Sequence, residues 1–388
     1  MSDDPVYIAG VFEHPTRNAP EKSTLQLHGE VLRGALDDAG LNVDDVDGYF
    51  TGSNTDFGYH QGPMELPEYL GLETSYVDAT DHGGSSYVSH VGHAASAIRN
   101  GKCEVAVVTL AGRPRQWNWN GSEVRSHAEA FEAIYGTGTL NAYGMAMRRH
   151  MHEFGTTPAQ LASVKATASH HAQYNDDAFL QTPVYVDDVL DSRLVADPLR
   201  LMDCCVVTDG GGAFVVVSEE VRSELDRECV EVLGHGEAIE HHGAGRSIDL
   251  TETAARKSGP KAFDEAGLGP EHVEYASIYD SFTITVIQQI EDLGFCRKGE
   301  GGPFVESGGL RAPDGDLPFN TDGGGLCNNH PANRGGMTKV IEAVRQLRGE
   351  ANPDVQVDAD IALAHGTGGG FGMGRHQSAT VLLGRVGR

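Results

Sequence analysis

The sequence predicts an α/β protein made of two similar halves, with a less regular segment inserted into the first half. Between residues 6 and 112, short apolar runs typical of strands alternate with amphipathic runs of helical period. The same strand–helix order begins again near residue 230, which indicates an internal duplication. Residues from about 113 to 200 lack this order and are rich in arginine, histidine and aromatic residues. We therefore expect an N-terminal half over 1–220, which contains the insertion, and a C-terminal half over 228–388.

The first half opens with a buried strand at 6–12, an amphipathic helix at 23–39 and a second strand at 46–51. A glycine-serine turn at 82–86 leads into a helix of small residues, which Gly101 ends, and then into a buried strand at 105–110. This is the order of a βαβ unit, and it places Ser85 and Ser86 at the start of the helix.

The second half predicts a strand from residue 230, a helix at 251–266, a strand at 275–279 and a helix at 282–293. A glycine loop follows at 320–336 and runs directly into a further helix. His330 lies inside this loop, and Pro331 disfavours helical backbone at the histidine. Such loops often carry functional residues, although a tight turn with an incidental histidine is the alternative.

A second histidine lies near the end of the chain. Residues 361–364 predict a short buried strand, and the glycines of 366–370 predict a turn before a returning strand at 378–383. His365 is therefore expected at a strand end, where a substrate could reach its imidazole. The alternative is a hydrogen-bonded loop residue.

The composition excludes two classes of partner. The chain has 29 Lys and Arg against 56 Asp and Glu, a net charge of −27, so its surface repels nucleic acids and anionic membranes. This charge also suits a halophilic cell, where salt screens self-repulsion. No apolar run has the length of a membrane span and the N-terminus lacks signal-peptide regions, so we expect a soluble cytoplasmic protein. The six cysteines have no paired spacing and are expected to be reduced thiols.

Four segments in a fixed order resemble the thiolase superfamily, in particular its sterol-carrier-protein-2-type and archaeal branch. They are PLRLMDCCVVTDGGGAFVVV at 198–217, YDSFTITVIQQIEDLGFC at 279–296, the loop GLCNNHPANRGG and the final HGTGGGFG. The resemblance covers essentially the whole chain and implies a five-layer α-β-α-β-α fold, with a loop domain over the site and usually a dimer. It also implies that the chain makes or breaks carbon–carbon bonds in acyl-CoA thioesters, with coenzyme A as substrate carrier and no other cofactor.

The turn that carries an acylated cysteine in this family has no cysteine here. It reads DHGGSSYVSH, and a gap-free count back from Gly101 places Gly84 at the nucleophile position. A shift of one residue gives Ser85, and a shift of two gives Ser86. We favour Ser85 as the acyl acceptor, while helix capping is the alternative role of both serines.

Three further positions also differ from the family pattern. His365 stands where the last loop normally carries a cysteine. His330 matches the histidine of the GHP motif, although Asn329 replaces its preceding glycine. Tyr279 replaces the histidine of the HDCF segment found in the sterol-carrier branch.

These residues predict a serine-based version of the family chemistry. A serine hydroxyl is a weak nucleophile unless a base removes its proton, so we expect one histidine to activate Ser85. His365 would take the α-proton of the second acyl-CoA, and His330 with backbone N–H groups would stabilise oxyanions. Tyr279 is expected either to pack and donate one hydrogen bond or to act as an acid or base.

Coenzyme A binding needs a local exception to the acidic surface. The basic residues of the insertion could hold its phosphates, although a solvated basic patch is the alternative; these are Arg113, Arg115, Arg148 and Arg149. Gly369 in the last loop is a further candidate contact. The spacing of His82, His90 and His93 lacks a cysteine or acidic partner, so no metal site is expected.

Three functions fit these expectations. The first is a β-ketothiolase, or acyl-CoA C-acyltransferase, that works through an acyl-serine. The second is a thiolase-like retro-aldolase that cleaves a β-hydroxyacyl-CoA without a covalent intermediate, with Tyr279 as acid or base. The third is a non-catalytic acyl-CoA carrier subunit. Because relatives without the cysteine often pair with a small OB-fold protein, we expect such a partner beside a homodimer.

Overall fold

The computed structural model describes residues 4–52, 62–116, 138–240, 249–331, 335–368 and 376–387. The strands in these ranges are β1 (Val6–Glu13), β2 (Gly48–Thr51), β3 (Tyr76–Ala79), β4 (Val105–Gly112), β5 (Leu194–Ala196), β6 (Leu199–Arg200), β7 (Gly210–Ser218), β8 (Val230–Ile239), β9 (Tyr275–Ile278), β10 (Ile361–Gly368) and β11 (Gln377–Arg385). Nine of them form one mixed sheet in the order β3-β2-β4-β7-β1-β8-β11-β10-β9, while β5 and β6 form a separate hairpin.

The pairing pattern of the sheet occurs twice. In the first half β1 runs antiparallel to β7, β7 antiparallel to β4, and β4 parallel to β2. In the second half β8 runs antiparallel to β11, β11 antiparallel to β10, and β10 parallel to β9. The two sets meet where β1 pairs with β8. Two halves of like topology therefore lie side by side, while the division between residues 220 and 228 stays a prediction.

Helices separate and cover the two half-sheets. They are α1 (Thr24–Ala39), α2 (Gly62–Leu70), α3 (Ser86–Arg99), α4 (Thr139–Phe154), α5 (Pro158–Ala172), α6 (Val186–Asp191), α7 (Glu219–Glu224), α8 (Ala255–Ala266), α9 (Thr283–Asp292), α10 (Gly301–Glu306), α11 (Gly324–Cys327) and α12 (Gly336–Leu347). A central core holds α3 and α12 against strands of both halves. One outer core contains α1, and the other contains α5, α8 and α9. The predicted α/β class and five-layer arrangement are confirmed.

Local sequence signals explain several element boundaries. Ser23 and Gln26 form a reciprocal capping box at the start of α1, and Gly40 ends the helix in the left-handed region at φ 73°. The insertion is more regular than expected, because α4 and α5 occupy residues 139–154 and 158–172. No helix in the described ranges has both the length and the apolarity needed to cross a membrane.

The structure corrects the prediction for the last glycine segment. Residues 366–368 continue β10 instead of forming a turn. The glycines are needed here for close packing and not for a turn. A Cβ at Gly366 would lie 2.8 Å from Ser85 Cα, and one at Gly368 would lie 1.9 Å from the His82 carbonyl oxygen. Glycines in this strand therefore allow the turn before α3 to lie directly on the sheet.

Candidate active site

A buried tyrosine–histidine pair joins the end of β9 to the glycine-rich segment that contains His330. Tyr279 directly follows β9, and its backbone N–H donates to the His365 carbonyl oxygen. The Tyr279 hydroxyl oxygen lies 2.8 Å from His330 Nε2, and both residues are about 4 % exposed. Burial lowers the pKa of His330 to about 4, so its imidazole is neutral near pH 7. A neutral imidazole can accept the tyrosine proton.

Asp280 fixes the loop beneath this pair. Its carboxylate accepts hydrogen bonds from the backbone N–H groups of Gly325 at 2.8 Å and Leu326 at 3.1 Å, in the first turn of α11. Lys339 Nζ of α12 lies 3.1 Å from the same carboxylate. Burial alone would lower the pKa of Lys339, but the charges of Asp280 and Asp322 raise it, which keeps the ammonium group charged. The buried ion pair therefore joins α11 to α12 behind the site.

Of the three candidate nucleophile positions, residue 84 faces the pair. A Cβ at Gly84 would lie 2.4 Å from Tyr279 Cε2 and 2.5 Å from the Thr367 carbonyl oxygen. A Cβ at Gly336 would in turn lie 2.2 Å from the Gly84 carbonyl oxygen, and one at Gly335 would lie 3.1 Å from His330 Cδ2. The Tyr279 ring thus uses the space that a side chain at residue 84 would need.

The Ser85 side chain contacts His82 and is fully buried, with 0 % of its surface exposed. Its hydroxyl donates to the His82 carbonyl oxygen at 2.9 Å and lies 2.7 Å from His82 Nδ1. The Ser86 hydroxyl accepts from the His82 backbone N–H at 3.0 Å and donates to the Gly83 carbonyl oxygen. Neither serine caps α3 in the usual way. His82 was not predicted as the partner of Ser85, although the spacing of three residues between them was a usable signal.

His365 lies inside β10 and not at its end. Its Nδ1 lies 2.9 Å from the hydroxyl oxygen of Thr380, which contacts Ser258 of α8. Successive strand residues face opposite sides of a sheet, so His365 faces the outer layer while Gly366 faces Ser85. Burial lowers the pKa of His365 to about 3. The structure therefore does not bring His330 and His365 together, which corrects the predicted convergence of two imidazoles.

Two of the arginines proposed for coenzyme A already have acidic partners. Arg148 forms an ion pair with Asp197 on an exposed face of α4, and Arg149 pairs with Glu153. Arg113 is half-buried just after β4. Gly369 lies outside the described residues. Phosphate binding by these residues stays a prediction.

His93 of α3 and His82 in the preceding turn contact acidic side chains, which the spacing of these histidines in the sequence did not indicate. His93 Nε2 lies 2.7 Å from Glu237, His93 Nδ1 lies 3.0 Å from Asp78, and His82 Nε2 lies 3.7 Å from Glu237. These contacts and hydrogen bonds raise the pKa of His93 to about 9 despite its burial. Within the described ranges, no group of three or more such side chains has the geometry of a metal site.

Replacing His90 by phenylalanine is expected to reduce the loss of folding stability at acidic pH. His90 is fully buried against Phe50 and Tyr87, and its ring nitrogens have no hydrogen-bond partner among the described residues. Burial lowers its pKa from 6.5 to about 3, so the unfolded chain binds the proton more readily as the pH falls below 6.5. At pH 5 this costs about 2 kcal/mol of folding stability.

The Tm of His90→Phe relative to the wild type should therefore be higher at pH 5 than at pH 7.5. An exposed histidine of α4 provides the control, His152→Gln, which should shift Tm little at either pH. The same Tm difference for His90→Phe at both pH values would contradict this expectation.

Comparisons with known proteins show similarity in sequence and in fold. A family model described as thiolase C-terminal domain-like matches residues 236–385. The chain is 32 % identical to an acetyl-CoA acetyltransferase of Methanothermobacter thermautotrophicus, over 94 % of this chain and 96 % of that protein. It is also 32 % identical to a steroid side-chain-cleaving aldolase of Thermomonospora curvata, over 93 % and 95 % of the two chains. Among solved structures, one titled Ltp2-ChsH2(DUF35) aldolase superposes with a TM-score of 0.89 at 30 % identity, covering 99 % of both chains.

Proposed function

The chain belongs to the thiolase superfamily, in its sterol-carrier-protein-2-type branch, and on that basis we propose that it is a retro-aldolase that cleaves a β-hydroxyacyl-CoA. One observation carries this proposal. Tyr279, whose hydroxyl pairs with His330, lies with its ring against Gly84, where a nucleophilic side chain would collide with that ring. The relatives named as aldolases support the same reaction class.

The proposed reaction moves one proton and breaks one carbon–carbon bond. Tyr279 takes the proton of the substrate β-hydroxyl while its own proton passes to neutral His330. The β-oxygen then forms a carbonyl, the Cα–Cβ bond breaks, and its electron pair becomes a thioester enolate. The proton held by the pair returns to Cα, which leaves a ketone or aldehyde and a shortened acyl-CoA. Backbone N–H groups at the start of α12, which contacts Gly84, would stabilise the enolate oxygen.

Coenzyme A recognition and a protein partner are further parts of the proposal. The basic residues Arg113 and Arg148 would approach the phosphates, with Arg148 exchanging its contact to Asp197. A small partner protein is supported by the similar solved structure, whose title names Ltp2 together with ChsH2(DUF35).

A β-ketothiolase is the second candidate, and one contact favours it. The Ser85 hydroxyl lies 2.7 Å from His82 Nδ1, and an imidazole at this distance can accept a serine proton. Against it, the hydroxyl is fully buried and also donates to the His82 carbonyl oxygen.

Product analysis and intact mass together separate these functions. The protein is incubated with a panel of β-hydroxyacyl-CoAs, and the carbonyl product and shortened acyl-CoA are followed by mass spectrometry. Both products without a protein adduct are expected. A single acetyl adduct from acetyl-CoA that is lost in Ser85→Ala but kept in the matched Ser86→Ala would instead establish the thiolase. Coenzyme A binding with neither signal would leave a carrier.

A further inference from the structure

The residue before His330 is an asparagine whose side chain is fully buried and hydrogen-bonded at both its nitrogen and its oxygen. Asn329 Nδ2 donates to Glu13 Oε1 at 2.8 Å, and Asn329 Oδ1 accepts from the Thr208 hydroxyl at 2.7 Å. Its backbone N–H also donates to the Gly324 carbonyl oxygen. The reaction proposed above gives this side chain no proton to move. Its hydrogen bonds to Glu13 and Thr208 therefore indicate a role in placing its neighbours.

Thr208 joins Asn329 to the backbone of His330. The Thr208 hydroxyl oxygen accepts the His330 backbone N–H at 2.8 Å while its proton is donated to Asn329. Thr208 also forms a parallel bridge with Pro331. A hydroxyl that donates to one group and accepts from another has a fixed orientation. Thr208 therefore holds the backbone at His330 and at the following residue, Pro331.

Glu13 at the end of β1 is the fixed end of this chain of bonds. Its carboxylate accepts from Arg17 at 3.0 Å and from Asn328 at 3.2 Å, in addition to Asn329. Burial alone would raise the pKa of Glu13, but the charges of Arg17 and Arg345 and the two asparagine amides lower it below its usual value. The carboxylate is therefore ionised, and charge-assisted hydrogen bonds of this kind are strong and geometrically specific.

We propose that Asn329 is a positioning residue that, through Glu13 and Thr208, holds His330 at hydrogen-bond distance from Tyr279. This inference rests on the proposed acid–base role of the Tyr279–His330 pair. It also gives a reason for the asparagine that replaces the glycine of the GHP motif. A glycine at residue 329 would leave the Thr208 hydroxyl and the Glu13 carboxylate each without one buried partner.

The test compares two substitutions of the same hydroxyl. Thr208→Val keeps the shape of the side chain but removes the acceptor of the His330 N–H, whereas Thr208→Ser keeps the hydroxyl. We expect Thr208→Val and Asn329→Gly to lower kcat for β-hydroxyacyl-CoA cleavage by about 10- to 100-fold with KM unchanged. Thr208→Ser should retain wild-type kcat. Hydrogen–deuterium exchange of a peptide covering residues 328–331 should be faster in Thr208→Val and unchanged in Thr208→Ser.

The outcomes separate this inference from the proposed function. Wild-type kcat and wild-type exchange in Thr208→Val would overturn the positioning role, as would equal losses in Thr208→Val and Thr208→Ser. If Asn329→Gly fails to fold, the threonine pair still decides the matter. If the wild type cleaves no β-hydroxyacyl-CoA, the proposed function fails, and the catalytic part of this inference fails with it. The exchange measurement then still decides whether Thr208 holds the His330 backbone.

Discussion

Replacing Tyr279 by phenylalanine is expected to abolish carbon–carbon cleavage while the protein remains folded. The change removes one oxygen atom, which lies 2.8 Å from His330 Nε2, and keeps the ring that packs against Gly84. Loss of a positioned acid–base group lowers rates by about 10²- to 10⁴-fold. The buried His330 nitrogen also loses a partner, which costs about 1–3 kcal/mol of stability. Steady-state turnover of a β-hydroxyacyl-CoA measures the loss of rate, and thermal unfolding measures the loss of stability.

A matched tyrosine in the first half provides the control for this prediction. The Tyr49 hydroxyl is buried in β2 and lies 2.7 Å from the Thr109 hydroxyl oxygen. Tyr49→Phe removes the same atom and is expected to lower Tm while turnover stays near the wild-type value. Wild-type turnover in Tyr279→Phe would refute the assigned acid–base role. An equal loss of turnover in Tyr49→Phe would show that the effect comes from stability alone.

The two members of the pair should also act as one unit. If the proton passes between Tyr279 and His330, removing either group interrupts the same step. The losses of kcat in Tyr279→Phe and His330→Ala should then be far from additive in the double variant. Fully additive losses would indicate two separate roles.

The periodicity of the sequence located the strands and helices that carry the site. It could not determine which way the side chains of His365 and Ser85 point. The strand before His365 was recognised, but the glycines after it were predicted to form a turn. They continue the strand, and the 82–86 turn packs on Gly366 and Gly368. This packing is a tertiary contact, which the local sequence does not show. Extending the strand by a few residues changes His365 from an accessible strand end to a buried position bonded to Thr380. Local sequence does not contain that information.

The serine turn shows a second limit of the sequence. Gly84 and Ser85 lie in a 3₁₀ turn, where neighbouring residues point about 120° apart. The choice between them therefore decides whether the residue meets Tyr279 or His82. The gap-free count from Gly101 gave the residue that faces the pair, whereas chemical preference favoured the serine. The contact of Glu13 with Asn329 joins residues that are 316 positions apart, and no local pattern could reveal it.

Adding a single methyl group at residue 84 is expected to inactivate the protein. In Gly84→Ala the new Cβ would lie 2.4 Å from Tyr279 Cε2 and 2.5 Å from the Thr367 carbonyl oxygen. The backbone oxygen cannot rotate away, so the tyrosine ring or the turn must move. A displacement of about 1 Å at a catalytic group costs roughly 100-fold in rate, and overpacking of this kind costs about 1–3 kcal/mol of stability.

A glycine-to-alanine change in α1 tests whether the loss of activity is specific. A Cβ at Gly29 would meet its nearest neighbours, Leu70 and Tyr69, at 3.9 Å, which is ordinary contact. Gly29→Ala should therefore fold with unchanged turnover and with equal or higher stability, since alanine favours a helix. Turnover and Tm are measured for both variants in the same buffer. A Gly84→Ala protein with wild-type turnover would mean that Tyr279 does not need this space. A clash with the tyrosine ring would then no longer exclude a nucleophilic side chain at this turn.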